Sequence, residues 1–155
     1  MEKPFQIRKA VLADAPQVAR FNLAMARESE GRSLDSGVAL AGAKALIKDP
    51  HKGFYLLAEA TVGEPRLLGQ LMVTYEWSDW RDGCFWWIQS VYVSPDRREQ
   101  GIFSALFRRV TELARQHKDA CGLRLYVERD NERAKMVYEG LGMAPTSYLL
   151  YETEF

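Results

Sequence analysis

Residues 93–106 combine residue types that bind phosphate, and they read VSPDRREQGIFSAL. Arg97 and Arg98 precede Gly101, and an amphipathic helical pattern begins directly after that glycine. Backbone N–H groups at a helix N-terminus and nearby guanidinium groups both attract phosphate oxygens. This stretch therefore predicts a turn that holds a phosphate-bearing cofactor. A solvated turn that only begins a helix would use the same residues, so both interpretations stay open on this stretch alone.

A second stretch, residues 75–83, alternates aromatic and acidic residues and reads YEWSDWRDG. Trp77 and Asp79 lie within it, Trp86 follows it, and Glu28 lies in a separate acidic region upstream. Aromatic faces and carboxylates bind a cationic amine through cation–π contacts and ion pairs. A hairpin whose aromatic side chains pack on a sheet explains the same pattern, so the amine pocket is one of two hypotheses.

The elements that position these stretches follow from hydrophobic spacing. The strand before the phosphate turn leads into a helix and then another strand, which is typical of a parallel crossover. Earlier strands are joined by short turns and should be antiparallel. We expect an α/β (α+β) fold with a mixed central sheet, helices on both faces and the order βααβββαβαβ. Strands are predicted at residues 5–8, 54–58, 67–75, 85–93, 122–127 and 148–153, and helices after the cap Asp14, over 36–47, from Gly101, and between Asn131 and Gly142.

Length and composition limit the classes of protein to which this chain can belong. The 155 residues predict a single domain, 1–155, with an ordinary hydrophobic content of 47%. Lys+Arg and Asp+Glu are equal at 21 each, so no global charge favours nucleic acid. No apolar run approaches the length of a membrane span, and Cys84 and Cys121 are too few for a disulfide framework. We expect a cytoplasmic protein without nucleic-acid or membrane partners, and without a metal, since His51 and His117 are isolated.

Two motifs taken together resemble those of the GNAT superfamily, the acetyl-CoA-dependent N-acetyltransferases. The family pattern V-x-P-x-x-R-x-x-G-x-G-x-x-L is similar to residues 93–106. Its second pattern, L-x-V-x-x-x-N-x-x-A-x-x-x-Y-x-x-x-G-F, is similar to residues 125–143, which read LYVERDNERAKMVYEGLGM. Phe103 stands where the family has Gly or Ala. Its helical phase with Leu106 and Val110 predicts that it points into the core and leaves the cofactor site in place.

The resemblance implies a GNAT fold that binds acetyl-CoA as cosubstrate. Backbone N–H groups of the turn would hold the pyrophosphate. The strand with Val91 and Val93 would diverge from its parallel neighbour, pair with the pantetheine arm and polarise the thioester carbonyl. The implied cofactor-binding residues are Val91, Val93, Arg98, Glu99, Gln100, Gly101, Ile102, Phe103, Ser104, Asn131, Lys135 and Tyr138.

The resemblance also implies catalytic roles. The Tyr138 phenol would protonate the departing thiolate, although the same residue also fits an apolar helix face. Glu76 is the candidate base, with Asp79 as a further acid, and each also fits a surface loop. Glu28, Trp77, Asp79 and Trp86 would bind the acceptor.

The resemblance implies an acyltransferase that moves acetyl to a primary amine of a small molecule or peptide, by direct attack in a ternary complex. Two alternatives remain: a non-catalytic acetyl-CoA sensor or scaffold, and a protein N-terminal or lysine acetyltransferase. Similar proteins often use their last strands to dimerise, so a homodimer is a further hypothesis.

Overall fold

The computed structural model describes residues 4–155, so residues 1–3 of the expected domain lie outside the described part. The chain divides after Leu125 into two compact units. No helix in the described range has both the length and the apolarity needed to cross a bilayer. The elements are β1 (Phe5–Lys9), α1 (Ala15–Glu30), α2 (Ser36–Lys48), β2 (Gly53–Ala60), β3 (Leu67–Ser78), β4 (Gly83–Val93), α3 (Ile102–Gln116), β5 (Ala120–Leu125) and α4 (Glu132–Gly140).

The strands of the first unit form one sheet with the spatial order β1-β2-β3-β4-β5. β1 to β4 are antiparallel neighbours, whereas β4 and β5 run parallel and are joined through α3. Short turns can join antiparallel strands, but a parallel pair needs a longer crossover. The predicted mixed sheet is confirmed.

Helices cover both faces of this sheet because the side chains of each strand alternate between the faces. Tyr55 and Leu57 of β2 pack in one buried cluster with Ala43 of α2 and with residues of α1. On the other face, α3 lies so close that a Cβ on Gly69 would stand 3.3 Å from Ile102 Cγ2. The sheet is therefore the middle layer, and β4 leads from it directly into the turn before α3.

Phe103 does not point into the core as predicted, because the buried face of α3 begins one residue earlier, at Ile102. Phe103 is only half-buried, and its ring lies 6.1 Å from that of Phe107. Successive residues of a helix are rotated by about 100°, so the buried stripe that begins at Ile102 leaves Phe103 at its margin. The buried residues of α3 are Ile102, Ala105, Leu106, Phe107, Val110 and Ala114.

One of the two predicted helix caps is formed as expected. Asn131 Oδ1 accepts a hydrogen bond from the N–H of Ala134 at 3.0 Å, which confirms the cap of α4. Asp14 precedes α1 but makes no side-chain cap hydrogen bond. It accepts instead from both terminal nitrogens of Arg8, at 2.8 and 2.9 Å. A bidentate guanidinium is a stronger partner for a carboxylate than a neutral backbone N–H.

The predicted last strand, residues 148–153, is wrong. In the part of the chain that the structure describes, no residue after Leu125 lies in a strand, and the order is βααβββαβα. A strand needs a neighbouring strand to satisfy its backbone groups, and no strand pairs with this segment. Its apolar side chains are exposed, from 66% at Leu150 to 91% at Tyr151.

Candidate cofactor and acceptor site

β4 is irregular where it approaches the phosphate turn. Between two successive pairs of the β3–β4 ladder, β3 has one residue and β4 has two, Ser90 and Val91. Ser90 has a φ of 49°, in the left-handed region. Two residues opposite one form a β-bulge, which bends the strand and changes the direction of its backbone groups.

The parallel pairing between β4 and β5 ends near this bulge, at Ile88 and Leu125. In the described sheet, β4 continues beyond that point with β3 as its only neighbouring strand. The N–H of Ser94 donates to the carbonyl of Leu68 on the β3 side at 2.9 Å. Because successive residues of a strand direct their N–H groups to opposite sides, the N–H of Val93 points away from β3.

The turn that follows β4 concentrates backbone donors at the start of α3. Pro95–Arg97 form a short 3-10 turn, and Glu99 and Gly101 then adopt left-handed φ values of 63° and 77°. Gly101 is the N-cap of α3, and no side chain caps this end. The first intrahelical bond runs from Ala105 N–H to the Gly101 carbonyl at 3.0 Å. N–H groups before that bond have no acceptor within the helix, which makes the turn suitable for an anion.

The Arg98 side chain folds back toward α1. Its Nε donates to the Val93 carbonyl at 3.0 Å, and its Nη2 donates to Glu28 Oε2 at 2.6 Å. The guanidinium carbon also lies 5.5 Å from the centroid of the Tyr92 ring. The side chain therefore braces the turn against α1, and the backbone of Arg98 is the part that lies in the turn itself.

A cleft of about 360 Å³ opens between the end of α1 and the bulged part of β4. Glu28 lies in its wall and accepts from the Tyr92 hydroxyl at 2.9 Å as well as from Arg98. These hydrogen bonds, first from Arg98 and then from Tyr92, hold the pKa of Glu28 below its ordinary value. Glu28 is therefore a carboxylate at neutral pH. The lining residues are Met25, Glu28, Ser29, Val91, Tyr92, Val93 and Arg98.

Tyr92 is a site residue that the sequence analysis did not single out. In an apolar run such as residues 91–93, a tyrosine is indistinguishable from an ordinary buried strand residue. The ring is buried, at 7% exposure, and packs 5.3 Å from the ring of Phe21. Burial, then the hydrogen bond to Glu28, raise the pKa of the Tyr92 phenol. The contact with Glu28 could not be predicted from the sequence, because 64 residues separate the two and only the folded arrangement brings α1 beside β4.

The structure does not bring the residues of the 75–83 stretch together with Glu28. Glu76 faces Phe85 across the β3–β4 ladder, at the hairpin end of β4. Trp77, at 64% exposure, and Asp79 are exposed there. Phe85 and Val91 are six positions apart along β4, roughly 20 Å at the rise of a strand. The acidic, Trp-rich hairpin and the cleft are thus at opposite ends of the strand.

Two residues of that hairpin region have structural partners of their own. Glu76 Oε1 accepts a hydrogen bond from Arg124 Nη1. Trp86 is only 5% exposed, and its ring makes edge contacts with Phe54 and Tyr75 at 5.5 and 5.7 Å. Trp86 is therefore part of the aromatic core of the sheet.

The second unit carries the remaining predicted residues on α4. Lys135 Nζ donates to Glu132 Oε1 at 2.9 Å and to the carbonyl of Arg129. Tyr138 is half-buried, and burial raises the pKa of its phenol. A phenol with a raised pKa is protonated at neutral pH, which is the state that a proton donor requires.

Comparison with known proteins places the chain in a family. Residues 21–143 match the acetyltransferase (GNAT) family. A solved structure described as a possible acetyltransferase from Clostridium difficile 630 is 42% identical, covers 99% of each chain and has a TM-score of 0.90. The ribosomal-protein-alanine N-acetyltransferase of Brucella melitensis biovar Abortus 2308 is 20% identical, covers 99% of this chain and 100% of that one, and shares the fold with a TM-score of 0.77.

A curated relative is the thialysine N-epsilon-acetyltransferase of Bos taurus, which is 35% identical over 83 residues. That match covers 52% of this chain and 48% of the bovine protein, so it spans about half the length of the relative. The family match covers most of the chain, includes both motifs, and agrees with a full-length structural relative. The protein belongs to the GNAT acetyltransferase family.

Proposed function

We propose that this protein transfers acetyl from acetyl-CoA to a primary amine of a small molecule or peptide, by direct attack in a ternary complex. The observation that carries the proposal is the end of β4. There the bulge at Ser90, the outward N–H of Val93 and the open N-terminus of α3 follow one another along the chain. A thioester carbonyl, an amide-containing arm and a pyrophosphate need these three kinds of donor group in that order.

The backbone from Arg98 to Ser104 would bind the pyrophosphate, including Glu99, Gln100, Gly101, Ile102 and Phe103. Gln100 supports the turn, since its Nε2 donates to the Asp96 carbonyl at 3.2 Å. Val91 and Val93 would bind the arm through their backbone. Asn131 and Lys135 are proposed cofactor contacts because they match the second family motif.

The reaction forms a C–N bond between the amine and the acetyl carbon and breaks the C–S bond of the thioester. An acceptor that arrives as an ammonium ion first loses one proton to become the neutral nucleophile. The neutral amine loses a second proton as the amide forms, and the coenzyme A thiolate gains one. Tyr138, a phenol whose pKa is raised by burial, is proposed as the donor to the thiolate. Glu76 pairs with Phe85, which lies roughly 20 Å from Val91 along β4. At that distance Glu76 is too far from the proposed thioester site to remove the amine proton, so solvent is the proposed base.

Glu28 is proposed to hold the acceptor amine. Its pKa is lowered by Arg98 and Tyr92, which makes it a weak base but a persistent anion that attracts an ammonium group. The bovine relative is named for N-epsilon acetylation, which favours a side-chain amine over a protein N-terminus.

The test measures release of coenzyme A thiol from acetyl-CoA over a panel of amino acids, polyamines, small amines and peptides. Rapid release with one class of side-chain amine supports the proposal. Tight acetyl-CoA binding without release across the panel would favour the sensor alternative, and release only with peptides would favour a protein acetyltransferase. The same assay with longer acyl-CoA donors shows which acyl group the protein transfers.

We also propose that the protein is a homodimer. Tyr148, Leu149, Leu150 and Tyr151 are consecutive apolar residues that are 66–91% exposed. Such a run is unusual on the surface of a monomer, and it has high strand propensity. A second copy would cover it.

A further inference from the structure

A buried amide lies behind the β4 bulge. Gln70 of β3 is 0% exposed, and it is the only polar or charged residue in the buried set of the described chain. Its Oε1 is buried without a hydrogen-bond partner among the described residues. An unsatisfied buried amide oxygen costs free energy that an apolar side chain of the same size would not incur at that position. Packing alone therefore gives no reason for a glutamine at this position.

The amide nitrogen of Gln70 binds the residue that makes the bulge. Nε2 donates to the carbonyl of Ser90 at 3.1 Å. A backbone carbonyl can only accept, so the NH₂ group must be the end of the amide that faces it. Ser90 has a φ of 49°, which a residue with a Cβ adopts only when its surroundings hold it there. The hydrogen bond from Gln70 is such a restraint.

The same nitrogen joins the bulge to α1. Gln70 Nε2 also donates to Asn22 Oδ1 at 2.7 Å, and Asn22 lies on α1, the helix that ends in the cleft wall with Glu28. The Asn22 side chain is also hydrogen-bonded to the hydroxyl of Tyr55 on β2. The bulge is thus tied to two neighbouring elements rather than to β3 alone.

We infer that Gln70 is a positioning residue for acetyl transfer, which holds Ser90 in its left-handed conformation and so aims the backbone N–H groups of Val91 and Val93. The inference rests on the proposed function, because those N–H groups matter only if a thioester binds beside them. Gln70 touches neither reactant. Its effect passes through the backbone of β4, and a small displacement of such donors lowers a rate strongly.

The experiment compares Gln70→Met, which keeps the size and removes both hydrogen bonds, with Val73→Ala. Val73 is also on β3 and 0% exposed, so this control loosens the same strand without touching the bulge. We expect Gln70→Met to lower kcat about 10- to 100-fold, with little change in the KM for acetyl-CoA. The NMR shifts of the backbone amides of Val91 and Val93 should change, because these amides take a new orientation. Val73→Ala should lower the melting temperature while kcat and the two amide shifts stay close to those of the wild type.

An unchanged kcat in Gln70→Met, or an equal fall in Val73→Ala, would overturn the inference. If Gln70→Met does not fold, Gln70→Asn takes its place, since its shorter amide cannot reach both acceptors, and the same outcomes apply. Failure of the proposed function is distinguishable because it affects the wild type, which would then release no coenzyme A with any amine. In that case unchanged NMR shifts of the Val91 and Val93 amides in Gln70→Met overturn the role of Gln70, and changed shifts support it.

Discussion

Arg98 and Glu28 form an ion pair with 2.6 Å between Nη2 and Oε2, although 70 residues separate them in the chain. Arg98 belongs to the turn that is proposed to bind the pyrophosphate, and Glu28 to the cleft that is proposed to bind the amine. Both side chains are nearly half exposed, at 46% and 44%. The pair therefore contributes little to stability, and it fixes the orientation of the two side chains where the turn meets the cleft.

Replacing Glu28 with glutamine should weaken acceptor binding. Removal of the carboxylate charge from the cleft should raise the KM for a cationic amine about tenfold, as expected for one partly exposed charge contact. The amine identified in the panel is the substrate for this measurement. Glu30→Gln is the matched control, because Glu30 lies two residues away and pairs with the exposed Arg32 at 3.7 Å. Equal changes in both variants would contradict the role of Glu28.

Tyr138→Phe should lower kcat about 100-fold if the phenol protonates the thiolate. Binding of acetyl-CoA, measured by calorimetry, should change little, since only the proton donor is lost. Burial raises the pKa of Tyr138, so the wild-type rate should fall only above the ordinary phenol pKa of about 10. The rate of Tyr138→Phe should not show this fall at high pH. Tyr126→Phe, on an exposed tyrosine of the same unit, is the control, and an unchanged kcat in Tyr138→Phe would remove the assignment.

Gly101→Ala should lower the affinity for coenzyme A, whereas its effect on the free energy of unfolding should be small. Gly101 has a φ of 77°, and a Cβ there would meet nothing within 4 Å, so the expected cost is backbone strain of about 1 kcal/mol. Gly31→Ala is a close match, with a φ of 61° and equally open space at the end of α1. Both variants should lose similar stability in urea unfolding, and only Gly101→Ala should reduce coenzyme A affinity in calorimetry. Equal coenzyme A affinities in Gly101→Ala and Gly31→Ala would mean that the pyrophosphate does not bind at the turn.

The double substitution Leu149→Ser/Tyr151→Ser should convert the proposed homodimer to a monomer. Both residues are exposed, at 69% and 91%, so their replacement should not disturb the fold of the chain itself. Light scattering after size exclusion gives the mass of each form. Val62→Ser, at an apolar residue that is 75% exposed in the turn between β2 and β3, is the control and should leave the mass unchanged. A monomeric wild type would end the dimer proposal.

Asp14→Asn should destabilise the protein by about 1–2 kcal/mol at pH 7, as expected for charge-assisted hydrogen bonds. The bonds from Arg8, and then the N–H of Val11, hold the pKa of Asp14 below its ordinary value. This contribution is therefore present above about pH 3.9 and is lost as the pH falls through the lowered pKa. Urea unfolding at pH 7 and pH 3 should show a smaller difference at the lower pH. Asp49→Asn, in an exposed pair with Lys52, should change stability little at either pH.

Much of the fold was predictable because it depends on residues close in the chain. The amphipathic period of α3, the Asn131 cap and the glycine before α3 are local signals. The mixed sheet followed from the lengths of the connections between strands. The prediction for residues 148–153 failed because an apolar run indicates only a preference for a strand, and a strand also needs a partner edge.

The sequence by itself determined the family, the order of the helices and strands up to α4, and the turn at Gly101, since each is encoded in short-range spacing. Only the tertiary structure decided that Glu28 meets Arg98 and that Glu76 lies at the far end of β4. It also showed that Gln70 donates a hydrogen bond to the carbonyl of Ser90 in the bulge. These contacts depend on strand register, and one extra residue in a strand changes which side chains and N–H groups face each side. No local pattern in the chain specifies that register, so the residues around the cleft emerge only when the strands are paired.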